Sequence, residues 1–213
     1  MTKWFKQVWI IFALLACAAV VQAQQAQQET PQAMMERLSN EVLDILKNDT
    51  RVRAGDVDYI RSVVNEKVMP HINFLRMTAM AVGPAWREAT PEQKQQLQDE
   101  IETMLIRTYA GALDKVDPQC RVVMKPFRGS SDDTDVTLNS EIRCTGNPIE
   151  LSYRLKQETD GWKIYNVNVA GVWLVENYRS QFQPQINSGG VQSLIDALRA
   201  HNKELAEKSN KGK

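Results

Sequence analysis

Few side chains in this sequence have the type and spacing that chemistry requires. Its three cysteines are Cys17, Cys120 and Cys144, its two histidines are His71 and His201, and its densest acidic run is Asp132, Asp133 and Asp135. The aspartates invite a calcium reading, but they lack the glycine and the oxygen-ligand spacing of a calcium loop and read as a solvated turn. Two cysteines without histidines nearby make a poor zinc set. His71 follows Pro70 at a helix boundary, and the sequence places no carboxylate beside it. It reads as a structural or surface histidine rather than a general base. No glycine-rich phosphate loop, HExxH, GxSxG or CxxC occurs. Were the chain an enzyme, Asp135 and Tyr165 would be its acid–base candidates. No metal and no cofactor is expected.

The amino terminus reads as an address. Lys3 and Lys6 precede an apolar run from Val8 to Val21, and Val21-Gln22-Ala23 suits cleavage after Ala23. A basic start, an apolar stretch and a small-residue site make residues 1–23 a secretory signal peptide. The run is shorter than the roughly 20 residues of a spanning helix. Leu14-Leu15-Ala16-Cys17 looks like a lipoprotein cleavage box, yet Ala18 to Val21 stay apolar where a lipoprotein tether turns polar. Export leaves a domain over 24–202 and a charged, flexible tail over 203–213. The full chain balances 26 basic against 26 acidic residues, and loss of Lys3 and Lys6 with the leader takes the net charge to −2. Nothing here forecasts a basic surface for nucleic acid. Two cysteines remain, Cys120 and Cys144, and an even pair in an exported domain reads as a disulfide.

Helices come first in the chain. Thr30-Pro31 opens one, with a capping residue and then proline where its missing N–H costs nothing. Met34, Met35, Leu38, Val42, Ile45 and Leu46 follow at helical spacing. Asp56 caps a second helix that Pro70 limits. A third spans Ile72 to Val82, stopped by Gly83-Pro84. Thr90-Pro91-Glu92-Gln93 is a capping box, and its helix runs to about Leu113. After Pro118 the period changes to two. Residues 120–127, 134–144, 149–158 and 162–170 read as strands, joined by turn-forming links that imply an antiparallel meander. A symmetric first hairpin sets Cys120 opposite Cys144. In the fourth strand the alternation fails, because Trp162, Ile164, Tyr165, Val167 and Val169 mix the faces. A short helix holds Tyr178, Arg179 and Phe182, and Pro184 separates it from a last helix with Val191, Leu194, Ile195 and Leu198. The fold class is α+β, a curved four-stranded antiparallel sheet wrapped by about five or six helices. One sheet face is wet and helices cover the other.

Seven methionines lie beyond the leader, and adaptable thioethers suit a cavity whose contents vary in shape. Helices on a one-sided curved sheet can enclose an apolar pocket of lipid size.

Four segments extend this reading. They are Phe74 to Met80 with Gly83-Pro84-Ala85-Trp86-Arg87-Glu88-Ala89-Thr90-Pro91-Glu92-Gln93; Leu105-Ile106-Arg107-Thr108-Tyr109-Ala110; Gly161-Trp162-Lys163-Ile164-Tyr165-Asn166-Val167; and Gly171 through Phe182. In order and spacing they resemble the MlaC family of periplasmic phospholipid-shuttling proteins, also known as toluene-tolerance auxiliary proteins. The chain departs from that pattern at Asn73 and Asn166, where Asp is common, and at Trp173, where Ser is common.

The resemblance implies a carrier and no enzyme. It implies a periplasmic location, phospholipid as cargo, and partners in an outer-membrane lipoprotein–porin complex and an inner-membrane ABC transporter complex with a lipid-binding periplasmic domain. The expected role is maintenance of outer-membrane lipid asymmetry. The pocket is expected among Leu75, Met77, Met80, Met104, Leu105, Tyr109, Leu138, Leu151, Tyr153, Val167 and Val169, with the hydroxyls of Tyr109 and Tyr153 solvated near the mouth. Arg87 and Arg179 are candidates for a phosphate or for a partner contact. The other reading is a periplasmic adaptor or chaperone with a filled core and no lipid ligand.

Overall fold

The computed structural model describes residues 29–110, 116–130 and 132–211. The leader, Cys17 and the stretch containing Leu113 lie outside the described residues. Among the described residues six α-helices and five strands follow one another: α1 Pro31–Asn48, α2 Thr50–Arg53, α3 Val57–Val63, α4 Phe74–Val82, α5 Pro91–Ala110, β1 Arg121–Met124, β2 Asp135–Arg143, β3 Ile149–Glu158, β4 Gly161–Val169, β5 Val172–Trp173 and α6 Leu174–Lys211.

The helix starts are set by local chemistry. Thr30 Oγ1 accepts from the Ala33 amide at 3.2 Å, Asp56 Oδ1 from Tyr59 at 3.1 Å and Asn73 Oδ1 from Arg76 at 2.9 Å. At α5 the bonds are reciprocal. Thr90 N donates to Gln93 Oε1 at 3.1 Å and Gln93 N to Thr90 Oγ1 at 3.2 Å, which occupies two of the donors a helix start leaves open.

The sheet is antiparallel, in the order β1-β2-β3-β4-β5. It has five strands where the sequence suggests four. The fifth is Val172–Trp173, too short for a period to show. It folds back on β4 through a two-residue turn in which Ala170 has φ 50° and Gly171 φ 91°. Arg121 pairs with Arg143, so Cys120 faces Cys144, and the two are joined as a disulfide with Cα atoms 4.2 Å apart. Along β3 and β4 the register slips. Arg154 pairs with Asn166 but Leu155 with Ile164, which leaves Tyr165 as the extra residue of a bulge. This is why the alternation fails. Ile164 and Val167 share a face although they are three residues apart.

One further reading is corrected. The last helical region breaks at Gly189 and Gly190, not at Pro184, which lies inside α6. Proline removes one helical bond there, whereas Gly190 adopts φ 69° and ψ −158°, a conformation that L side chains rarely reach. Residues 203–211, within the charged tail expected over 203–213, continue α6. Lys203 with Glu207 and Glu204 with Lys208 have the spacing that supports exposed helix.

The apolar residues form three clusters. Met34, Met35 and Leu38 of α1 cover the inner sheet face at Val136, Leu138, Tyr153, Leu155, Trp162 and Ile164. Each such side chain, when fully buried, contributes about 1.5–3 kcal/mol at most. A second cluster joins α4, α5 and α6 through residues such as Val82, Leu97, Ile101, Phe182 and Leu194. A third packs Val52 and Ile60 against Ile106 and Ala110.

Candidate functional site

Helix α4 has two working faces. Phe74, Met77, Thr78 and Ala81 recur at helical spacing and turn toward α5 and α6. There they meet Ile101 and Leu105, and Leu174, Val175, Tyr178 and Phe182. The crevice between these helices is apolar and small, about 30 Å³, roughly the liquid volume of one water. Thr78 sits in it 1 % exposed, and among the described residues its hydroxyl has no hydrogen-bond partner. A buried hydroxyl without a partner is costly, so this wall is not optimised as closed core. The rings of Tyr178 and Phe182 stack with centroids 5.6 Å apart. Burial, and then the Tyr109 hydroxyl beside it, push the Tyr178 phenol well above the usual tyrosine range. Tyr109 itself is 46 % exposed, so a solvent-facing ring abuts one wall of the crevice.

The other side of α4 carries Arg76, Ala79 and Met80 and borders an adjoining, more open hollow of about 430 Å³ with Trp86, Arg87 and Arg179, and Val175 lines both.

The expected pocket residues therefore fall in several places. Met77 and Leu105 meet in the crevice, and Met104 lies in the same helical cluster, 5 % exposed. Leu138 and Tyr153 are buried under α1, with Leu151 and Val167 packed against them. Tyr153 is not at a mouth. Its hydroxyl is buried against Ser140 Oγ at 3.1 Å, and burial raises its pKa. Leu75 and Val169 are exposed, at 56 % and 37 %. Met80 borders the other hollow. The crevice residues absent from the expected pocket are Phe74, Thr78, Ala81, Ile101, Leu174, Val175, Tyr178 and Phe182. Their signal was present as spacing, with 74, 77, 78 and 81 on one helix, 101 and 105 on the next, and 174, 178 and 182 on the last.

The acid–base candidates hold each other. Tyr165 Oη donates to Asp135 Oδ1 at 2.7 Å, and Arg76 stacks on the Tyr165 ring at 3.6 Å. Burial and that carboxylate raise the phenol's pKa, which makes it a poor proton donor at neutral pH. Asn166, fully buried, anchors α6. Its Oδ1 accepts from Val175 N at 3.2 Å and its Nδ2 donates to Glu176 Oε2 at 2.7 Å. Among the described residues no group of three His, Cys, Asp or Glu could hold a metal ion, and no helix is long and apolar enough to cross a membrane.

Comparison with known proteins places this geometry. Residues 36–200 match the model of the MlaC protein family. The intermembrane phospholipid transport system binding protein MlaC of Haemophilus influenzae is 21% identical over 201 residues, 92% of this chain and 91% of that protein. The toluene tolerance protein ttg2D of Pseudomonas putida is 25% identical over 175 residues, 79% of each chain. A solved phospholipid-binding protein from Ralstonia solanacearum, in complex with a phospholipid, superposes with a TM-score of 0.79 at 41% identity, covering 82% of this chain and 98% of that one. With the family model covering most of its length and the fold shared, the chain belongs to the MlaC family.

Proposed function

We propose that this protein is a soluble periplasmic phospholipid carrier and not an enzyme. The observation that carries the reading is the apolar crevice between α4, α5 and α6, with an unsatisfied hydroxyl in its wall, in a chain that shares its fold with a phospholipid complex. Two acyl chains of about 16 carbons would cost some 25 kcal/mol if fully exposed to water. A carrier must offset nearly all of this and still release the lipid. At about 30 Å³ the crevice is far too small for an acyl chain, so loading parts the helices around Met77, Met104, Leu105, Tyr178 and Phe182. Leu138, Leu151, Tyr153 and Val167 supply the sheet side of the opened pocket, and the exposed Leu75, Tyr109 and Val169 lie toward its entrance. The closed form needs no cofactor, and handover needs only partners that receive the lipid. These are an outer-membrane lipoprotein–porin complex and an inner-membrane ABC transporter complex, and the exchange preserves outer-membrane asymmetry.

Native mass spectrometry of the protein purified from a periplasm tests this. Stoichiometric phospholipid is expected. Protein that arrives lipid-free and takes none from vesicles would overturn the carrier reading in favour of an adaptor or chaperone.

A further inference from the structure

The hollow on the outer face of α4 encloses about 430 Å³ and has a mixed character. Its floor is apolar, with Met80, Pro84 and Trp86. Its walls hold three guanidinium groups, Arg76, Arg87 and Arg179, against one carboxylate, Glu176. These charges are unevenly matched. Glu176 is already engaged, by Arg154 Nη1 at 3.1 Å and Asn166 Nδ2 at 2.7 Å. Arg76 lies on the Tyr165 ring and 4.0 Å from Asp135. Lys94 adds another positive charge 5.6 Å from the Trp86 ring. Arg87 and Arg179 are exposed, and among the described residues neither makes an ion pair or a hydrogen bond.

The backbone prepares this arrangement. Gly83 has φ 74°, and a Cβ there would lie 3.3 Å from Arg179 Nε, so the guanidinium rests across bare main chain. Two guanidiniums with open donors match carboxylates in fork geometry. A small anion would satisfy them but leave Met80 and Trp86 uncovered. A flat bilayer does not fill a concave hollow. A protein segment bearing both acidic and apolar side chains does both.

We propose that this hollow is a docking site for an acidic segment of a partner protein, which places carboxylates on Arg87 and Arg179 and an apolar side chain against Met80 and Trp86. The proposal rests on the reading of the chain as a carrier passed between protein complexes. Calorimetry at low salt on the mature chain, with a synthetic Glu/Leu peptide and its Gln/Leu counterpart, tests it. The Glu/Leu peptide binds, and the Gln/Leu peptide binds about tenfold more weakly or less. Arg87→Ala with Arg179→Ala lowers Glu/Leu affinity by about tenfold or more, whereas Arg53→Ala, on the exposed surface of α2, leaves it unchanged. Equal binding of the two peptides, or full binding by the double variant, overturns the proposal. So does binding of phosphatidylglycerol vesicles without binding of the Glu/Leu peptide, which assigns the arginines to a membrane. Native mass spectrometry of the same sample reads the cargo separately, so failure of the carrier reading and failure of the docking site give different results.

Discussion

Removing the Cys120–Cys144 disulfide should destabilise this protein by an amount its loop length sets. The bond closes a sequence separation of 24 residues that contains β1, the following loop and β2. The chain-entropy relation for a loop of that size gives about 3.5 kcal/mol at room temperature. Cys120→Ala with Cys144→Ala is the cleaner pair, because Cys120 is only 2 % exposed and a serine there would bury a hydroxyl. With a urea slope of about 2 kcal/mol per molar, the unfolding midpoint falls by roughly 1.5–2 M. The slope itself should steepen slightly, since the released loop expands the unfolded chain. Paired equilibrium melts of oxidised wild type and the double variant, followed by circular dichroism, supply both numbers. A midpoint shift under about 0.3 M would refute the reasoning, because it would mean that the loop is equally confined without the bond. Amide exchange should separately rise at Val123 and Lys125, whose N–H groups face β2 (Lys125 N donates to Asn139 O at 2.8 Å), since β1 is a four-residue edge strand held on one side only.

Three further outcomes follow from the site and its surroundings. Met77→Arg should purify with less than about a tenth of the wild-type lipid, because a charge in the crevice is unpaired, whereas Ala79→Arg, about 200° round α4 from Met77 and lining the other hollow, should keep its lipid in native mass spectrometry. Thr78→Val should stabilise the lipid-free protein by about 1 kcal/mol, since it removes a buried hydroxyl without a partner; a lower urea midpoint would reveal a partner for that hydroxyl. His71 is held below its ordinary pKa by burial and then by the charges of Arg37 and Lys163, so the folded state favours the neutral ring. Its contribution is therefore complete above the unfolded value of about 6.5 and is lost as pH falls through the folded one; thermal melts between pH 7 and pH 5 should show a decline that His71→Gln reduces.

Local signals were the legible ones. Thr30-Pro31, Asp56 and the Thr90–Gln93 box each name a helix start through atoms within three residues, and the structure makes those bonds. The cysteine register followed from symmetry about a turn. What could not be read was set by distant partners. Val172–Trp173 is a strand only because β4 lies beside it. Met77 and Met80 have the same chemistry, and which of them meets Leu105 depends on how α4 rolls against α5 and α6. Pro184 is a strong breaker in isolation, yet the helix runs through it and bends where a glycine pair permits. Tyr153 has an amphipathic ring suited to a mouth, but Ser140 across the sheet satisfies its hydroxyl in the interior.

The bulge at Tyr165 sets a phase for the second half of the molecule. With one residue inserted, Val167 and Val169 stay in line with Tyr153 and Leu151, while Asn166 and Asn168 turn to the opposite side. There Asn166 reaches Val175 N and Glu176, and Asn168 Oδ1 accepts from Gly171 N at 2.9 Å. Were Tyr165 paired in regular alternation instead of bulged out, the two asparagines would point beneath α1, and the turn into α6 would lose both of its anchors. A single surplus residue thus sets the launch direction of the helix that brings Val175, Tyr178 and Phe182 to the crevice. Deleting Tyr165 would close the bulge and leave that phase intact, since Asn166 would then follow Ile164 in regular alternation.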